Sequence, residues 1–420
     1  MSELSSCILY TLLHILLCYI VIKKKRYTLS VITIIWAISS LAGIIYFLNP
    51  FMAFFYNIEF VPFLYLFLCF CISILPFKYL SEEKTEKTVY LCNPIIFKGL
   101  VFVIAVCSFE PLVEILVIIV QRGLGGLADV YIESEEGFDP KYFFSFVGRY
   151  LFTIEEYLKF IAIPLFFLYL TVEKKKKWIL IGLICGILVP TLFSLANGHR
   201  FYLITVGLSF LFNYYFFRKK LSLSIKAQIR KMSIIALSLT SIMFVSISIS
   251  RFGKGSDSDL EGYGATYQFI RYLGESHTRF NSDIWHQKRL TEGKNSWLGY
   301  YGNFEKKKQM DIRERNQTTG FTSNVFFTYI GDLCMDYGKI TTIVIISLTS
   351  LIFCFFAKMP HRDMTLSGII MINLYANILL FGFTYFIYKN GFMSMVYSLI
   401  IAMLIKISTT NNHKINHFSV

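Results

Sequence analysis

The sequence predicts an all-α protein, a polytopic bundle of about eleven transmembrane helices with one large loop domain outside the membrane. Three observations carry that expectation. Hydrophobic residues make up 55% of the 420 and charged residues only 16%, with a mean hydropathy of +0.56, where an ordinary soluble domain carries about 25% charged residues. Apolar runs of the roughly 20 residues that cross a bilayer recur along almost the whole chain. Basic residues cluster beside those runs, at Lys23-Lys24-Lys25-Arg26, Lys174 to Lys177, Arg218-Lys219-Lys220, Lys226 and Arg230-Lys231, the pattern of topology signals that face anionic cytoplasmic lipid.

The candidate spans are 3–22, 28–48, 59–78, 95–119, 146–171, 177–196, 201–217, 232–250, 337–357, 364–387 and 391–407. The first run lacks a basic leader and has its basic residues after it, which argues against a cleaved signal peptide. With 23–27, 79–94, 172–177, 218–231 and 358–363 placed on the cytoplasmic side, the basic clusters and Lys84, Lys87, Lys358 and Arg362 all lie inside. The short opposite loops 49–58 and 197–200 carry only His199 and Arg200. The positive-inside rule therefore holds at every short hairpin except the last, where Lys389 falls outside. The expected organisation is 1–250 as eight transmembrane helices interrupted by an outer loop at 122–145, and 251–320 as a cap. A re-entrant segment and three more helices occupy 321–407, and 408–420 forms a cytoplasmic tail. The cap is rich in aromatics, among them Tyr263, Tyr272, Trp285, Trp297 and Tyr300, interleaved with Arg271, Arg279, Lys288 and Arg289. A disordered segment would not carry so many rings, so short helices such as 265–275 are expected over the membrane mouth. Rings beside hydrogen-bonding groups suit sugar faces, and equally an interfacial aromatic belt.

The net charge of +14 does not imply nucleic acid, because the basic residues sit as membrane-flanking clusters. The nine cysteines lie almost entirely within apolar runs, so neither a disulfide framework nor a zinc site is indicated, and no metal or other cofactor is expected. Asp257-Ser-Asp259 resembles a nucleotide-sugar motif on the wrong side of the membrane. As an EF-hand loop it fails, with Gln268 at the twelfth position. Asn316-Gln-Thr318 matches a glycosylation sequon, a pattern frequent by chance, and no Walker A, GxSxG or HExxH occurs.

Charges near membrane depth are costly and therefore the first functional candidates. Arg200 closes the short outer turn Asn197-Gly198-His199-Arg200; it could grip a phosphate with its planar fork or snorkel to headgroups. Arg251 and Arg149 lie at the same outer surface on separate spans. Three such arginines could converge on a diphosphate and stabilise charge on it as a leaving group, or snorkel independently. Glu110 and Glu114, one turn apart, and Glu155-Glu156 could accept protons or pair with an arginine such as Arg149. His277 and His286, flanked by Arg279 and Arg289, could deprotonate a sugar hydroxyl or stand by.

The stretch from Thr322 to Gly338, with Gly331-Asp332 and then Asp336-Tyr337-Gly338 leading into a helix, resembles the segment after the large outer loop of Wzy-type O-antigen and capsule repeat-unit polymerases. The short turn ending in Arg200, the outer Arg251 and the single large loop are similar as well. The resemblance implies metal-independent glycosyl transfer on the periplasmic face of the bacterial cytoplasmic (inner) membrane. Its donor would be a growing glycan on undecaprenyl diphosphate and its acceptor a single repeat unit on the same lipid. It also admits a chain-length regulator protein as partner. Carried over, Arg200 and Arg251, with Arg149, would hold the phosphates, and Asp332 and Asp336 match the family's acidic positions; with His277 read from the loop, the expected catalytic set is Arg200, Arg251, His277 and Asp332. The expected substrate-binding residues are Arg149, His199, Arg271, Arg279 and Asp336. Asp332 and Asp336 could orient the acceptor, pair with the arginines, or cap the helix beginning near Tyr337. The expected outside N-terminus departs from many relatives. An O-antigen ligase shares the fold and chemistry, a membrane acyltransferase would use a histidine near an arginine at membrane depth, and a flippase or transporter would show broken, Gly/Pro-interrupted spans.

Overall fold

The computed structural model describes residues 2–48, 57–80, 94–135, 143–172, 174–197, 201–234, 264–297, 300, 312–322, 326–358, 365–389 and 391–411, and every regular element among them is helical. The helices are α1 (Glu3–Lys23), α2 (Tyr27–Phe47), α3 (Phe60–Ser73), α4 (Leu75–Tyr79), α5 (Pro94–Glu135), α6 (Phe146–Leu170), α7 (Lys177–Ala196), α8 (Phe201–Phe217), α9 (Gly264–Ser282), α10 (Ile312–Thr319), α11 (Thr328–Lys358), α12 (Leu366–Phe381) and α13 (Phe392–Asn411). Six segments are long and apolar enough to cross a membrane: α1, α2, α3 continued by α4, the Ile95–Gln121 part of α5, α7, and the Thr328–Cys354 part of α11. The chain is thus a helical, multi-pass membrane protein.

Of the eleven runs, 201–217, 364–387 and 391–407 give the shorter apolar helices α8, α12 and α13. The run 146–171 gives α6, which carries Arg149, Glu155, Glu156 and Lys159. The run 232–250 lies outside the described residues beyond its first three. Residues 122–135, expected in a loop, continue α5 as helix. Leu124, Leu127 and Tyr131 recur there at helical spacing, and that periodicity prevails over Gly123, Gly125 and Gly126.

The chain divides into two compact units, 1–84 with 267–362 and 371–396, and 85–266 with 363–370 and 397–420. In the second, α5, α6, α7 and α8 pack together around Ile115, Phe144, Phe152 and Val189. Lipid offers apolar side chains no reason to leave it, so helix contact there depends on close fit. Gly182 and Gly186 supply it. A methyl on Gly182 would lie 2.7 Å from Cβ of Ala105, and one on Gly186 would collide with Cγ2 of Ile104. Gly186→Leu should therefore destabilise by about 1–3 kcal/mol or more, read as a lower unfolding temperature in detergent. Gly207→Ala, with nothing within 4 Å, is the control and should change it little. Glu110 and Glu114 bind the start of α6: Ser145 Oγ donates to Glu110 Oε1 at 2.8 Å and Ser145 N to Glu114 Oε1 at 3.0 Å. Ser145 in turn caps α6 by accepting from Gly148 N at 2.9 Å. Carboxylates at a helix N-terminus also favour its dipole.

In the first unit, α1 packs on α2 and α3, and α11 packs on α3 and α4. α11 is two helices meeting at Gly338, whose φ of 76° and ψ of 171° leave the helical region; only glycine takes such a backbone without strain. Before the break the chain runs antiparallel to α3, since Tyr329 Oη meets Ser73 Oγ and Cys334 Sγ lies 3.5 Å from Tyr65 Oη. After it the chain runs parallel to α3: Tyr65 Oη donates to Lys339 O at 2.6 Å and Ser350 Oγ to Ile72 O at 2.7 Å. Ser73 is the last residue of α3, so 328–337 starts about 20 Å along that helix from Phe60 and doubles back. Its buried start is satisfied by the turn after α12. Phe327 N and Thr328 N both donate to Thr384 O, at 3.0 and 2.8 Å, and Tyr329 N to Gly382 O at 2.8 Å. Thr328 Oγ1 caps Gly331 N at 3.1 Å from a left-handed backbone of φ 63°, an unusual conformation for a β-branched residue. Interrupted helices survive in a membrane only where such partners replace the lost ladder.

Candidate functional site

The doubled-back segment 328–337 ends among loops, and there the first unit gathers its buried charges. Asp332 and Asp336 are one turn apart and both 1% exposed. Asp332 Oδ1 accepts from Asn295 Nδ2 at 2.9 Å and from Lys389 Nζ at 3.3 Å, and its Oδ2 accepts from Phe386 N at 2.7 Å. Asp336 accepts from Thr291 Oγ1, from Asn295 N at 3.0 Å and from Ser296 N at 2.5 Å. Arg315 of α10, 5% exposed, donates to Asn295 Oδ1 at 3.0 Å; burial lowers the pKa of its guanidinium, and the charges of the two aspartates oppose that shift. Two carboxylates and two cations thus neutralise each other and pin the turns 291–297 and 386–389 to one half-helix. Buried charges persist when paired and hydrogen-bonded in this way. The geometry makes Asp332 and Asp336 anchors of the loop; their carboxylate oxygens accept from Thr291, Asn295, Ser296, Phe386 and Lys389 rather than from the amides of the helix after Gly338.

Along α9 a ladder of alternating charge repeats each turn. Arg271 embraces Glu275 with Nε at 3.0 Å from Oε2 and Nη2 at 3.3 Å from Oε1, and Arg279 Nε reaches Glu275 Oε1 at 2.6 Å. Arg279 also holds Asp283 at 3.0 Å. Glu275 is buried, and Arg271 is the more open arginine, its side chain 34% exposed against 18% for Arg279. Beyond the ladder His286, Lys288 and Arg289 are exposed, and Lys339 Nζ stands 3.8 Å over the Trp285 ring. This rim suits an anionic ligand, with rings nearby that can face a sugar.

His277 lies elsewhere than a solvated loop. α9 packs against α1 and α2, and a side chain on Gly274 would strike backbone, 2.5 Å from Gly43 N. His277 is 1% exposed and both ring nitrogens are engaged, Nδ1 with Tyr10 Oη at 2.9 Å and Nε2 with Ser39 Oγ at 2.7 Å. Ser39 donates its single proton to Leu273 O at 2.5 Å, so His277 must donate from Nε2 and accept at Nδ1, a neutral tautomer with every partner satisfied. Burial pushes its pKa down to about 3. Trp36 meets its ring edge-on at 5.6 Å. A histidine so enclosed positions α9; the general-base role expected for it has no route to a sugar hydroxyl, which must come within hydrogen-bond reach.

Arg149 is exposed in the first turn of α6, with Nε 3.1 Å from Phe144 O. His199, Arg200 and Arg251 lie outside the described residues. Asn295, Arg315, Glu275 and Lys389 are site residues that sequence reasoning missed. For Lys389 alone a signal existed, its breach of the positive-inside rule. No family model, curated protein or solved structure matches this chain.

Proposed function

We propose that this chain is a membrane glycosyltransferase that polymerises undecaprenyl-diphosphate-linked repeat units into surface polysaccharide on the periplasmic face of the bacterial cytoplasmic membrane. The observation that supports it best is the doubled-back half-helix bearing Gly331-Asp332 and Asp336-Tyr337-Gly338, held beneath a loop whose rim is basic and aromatic. An acceptor hydroxyl attacks C1 of the donor sugar, the bond to the lipid diphosphate breaks, and the diphosphate leaves with the electron pair. Arg200 and Arg251 would stabilise that leaving group, Arg271 and the rim would hold the glycan, and Asp332 with Asp336 would keep the loop in place.

Glycan chain length on a gel tests the reading, in cells carrying wild type, a deletion, or Arg200→Ala. Collapse of the ladder to a single capped repeat in both altered strains, with the Arg200 variant losing on the order of 10²-fold in polymer, is the expected result. Long lipid-linked chains that accumulate unattached would identify a ligase instead, and an unchanged ladder would overturn polysaccharide assembly. The interrupted helices favour one second reading, a carrier of lipid-linked glycans, because carriers place binding sites where helices break. A deletion that leaves the repeat units on the cytoplasmic side would decide for it.

A further inference from the structure

Among the described residues of the second unit, no donor engages one buried carboxyl oxygen. Glu155 lies in the third turn of α6, 1% exposed, and its Oε2 has no hydrogen-bond partner. Lys159 acts on it through space, but its ion pair is with a neighbour. Lys159, one turn along, places Nζ 3.8 Å from Glu156 Oε1 and over the rings of Phe160 and Tyr202, at 5.5 and 5.7 Å.

Among the described residues, the titratable groups within reach of Glu155 on the packed helices are neutral. Cys107 of α5 and the Tyr202 phenol of α8 stand within its electrostatic reach. After Lys177, α7 contributes Cys185 as its only titratable group, and from α13 Tyr397 stacks on Tyr157 at 4.7 Å. An ionised carboxylate only accepts hydrogen bonds, so as an anion Glu155 would leave a charged oxygen without a donor inside an apolar bundle. A proton on that carboxyl removes the charge and supplies a donor.

We propose that Glu155 is a proton-binding site, a carboxyl that is neutral at physiological pH and exchanges its proton within the helix bundle of the second unit. The site does not depend on glycosyl transfer, and the two functional readings use it differently. A carrier can couple movement of its cargo to this proton, whereas a polymerase needs only that the carboxyl stay uncharged.

Dicyclohexylcarbodiimide, an apolar reagent that adds to protonated carboxyls in apolar surroundings, is the probe. The purified full chain in detergent is treated near neutral pH and the adducts are mapped by mass spectrometry. Glu155 should carry roughly tenfold or more adduct than its neighbour Glu156, whose side chain is 35% exposed and paired with Lys159. Glu155→Gln, neutral and isosteric, should lose that adduct and keep the wild-type unfolding temperature. Infrared spectra of the wild type should show a protonated-carboxyl stretch that moves in heavy water. No adduct at Glu155 together with no such stretch would overturn the proposal. So would a Gln variant that fails to fold, because an essential anion is incompatible with a neutral site.

Discussion

Asp332→Ala should destabilise the protein by about 3–5 kcal/mol, more than its lost side-chain volume could explain. The substitution strands Lys389, whose ammonium is 12% exposed and 3.3 Å from the carboxylate, and it removes acceptors from Phe386 N and Asn295 Nδ2. An uncompensated buried cation costs more than a missing attraction, because its desolvation remains when its partner is gone. Thermal unfolding in detergent reads the effect. Removing the charge as well, in Asp332→Ala with Lys389→Met, should recover a large part of the loss. Strict additivity of the two single changes would show that the pair is not coupled. On the proposed function, polymer length should fall with stability in Asp332→Ala, whereas Arg200→Ala should shorten glycan without lowering stability; that contrast would separate a residue that holds the site from one that acts in it.

Acid should loosen the first unit through His277. The unfolded chain takes up the imidazole proton near the ordinary value of 6.5, while the folded protein resists until about 3. Between those values the unfolded state binds the extra proton. Stability conferred by the neutral, buried ring is therefore complete above about pH 6.5 and is lost as the pH falls toward 3. Between about pH 7.5 and 4.5 that loss is on the order of 3 kcal/mol. His277→Gln should be less stable than wild type at neutral pH, by about 1–3 kcal/mol, since Tyr10 and Ser39 lose well-placed partners. The gap should narrow as the pH falls, because glutamine does not titrate. A gap that stays constant would mean that His277 is not the proton-sensitive group.

These residues also mark where the sequence is legible. A hydrophobic run announces itself because a span must be apolar along its length, and α1, α2, α3 with α4, and α7 were readable for that reason. The cap resolved into α9 over more residues than the expected 265–275, since its charges fall at i, i+4 and its polar face is written into local spacing. The contacts that bury it are not local. Nothing near His277 indicates Tyr10 or Ser39, which lie 267 and 238 residues away, so a polar stretch reads as a solvated loop. Asp332 and Asp336 stood out as acidic residues beside a glycine, yet Arg315 and Asn295 carry no pattern that links them. Lys389 is the instructive case: a cation that broke the expected charge rule has a buried partner in Asp332. Glu110 and Glu114 were visible as a face, but only the fold shows that the face clasps Ser145.

The mutual capping of α11 and α12 bears on how the chain is made. α12 has 16 residues, about 24 Å of helix against a hydrocarbon layer of roughly 30 Å, and the ten residues 328–337 reach only about 15 Å. Presented singly to lipid, 327–329 would expose amides, and the turn after α12 the carbonyls of Gly382 and Thr384, that pair with each other here. Neither can partition from the insertion machinery as an independent stop. The earlier of the two must wait, sheltered, until the later has been synthesised, so entry into the bilayer and tertiary docking coincide here. Damage to the 382–384 turn is accordingly a defect of biogenesis, seen as a chain degraded before it matures.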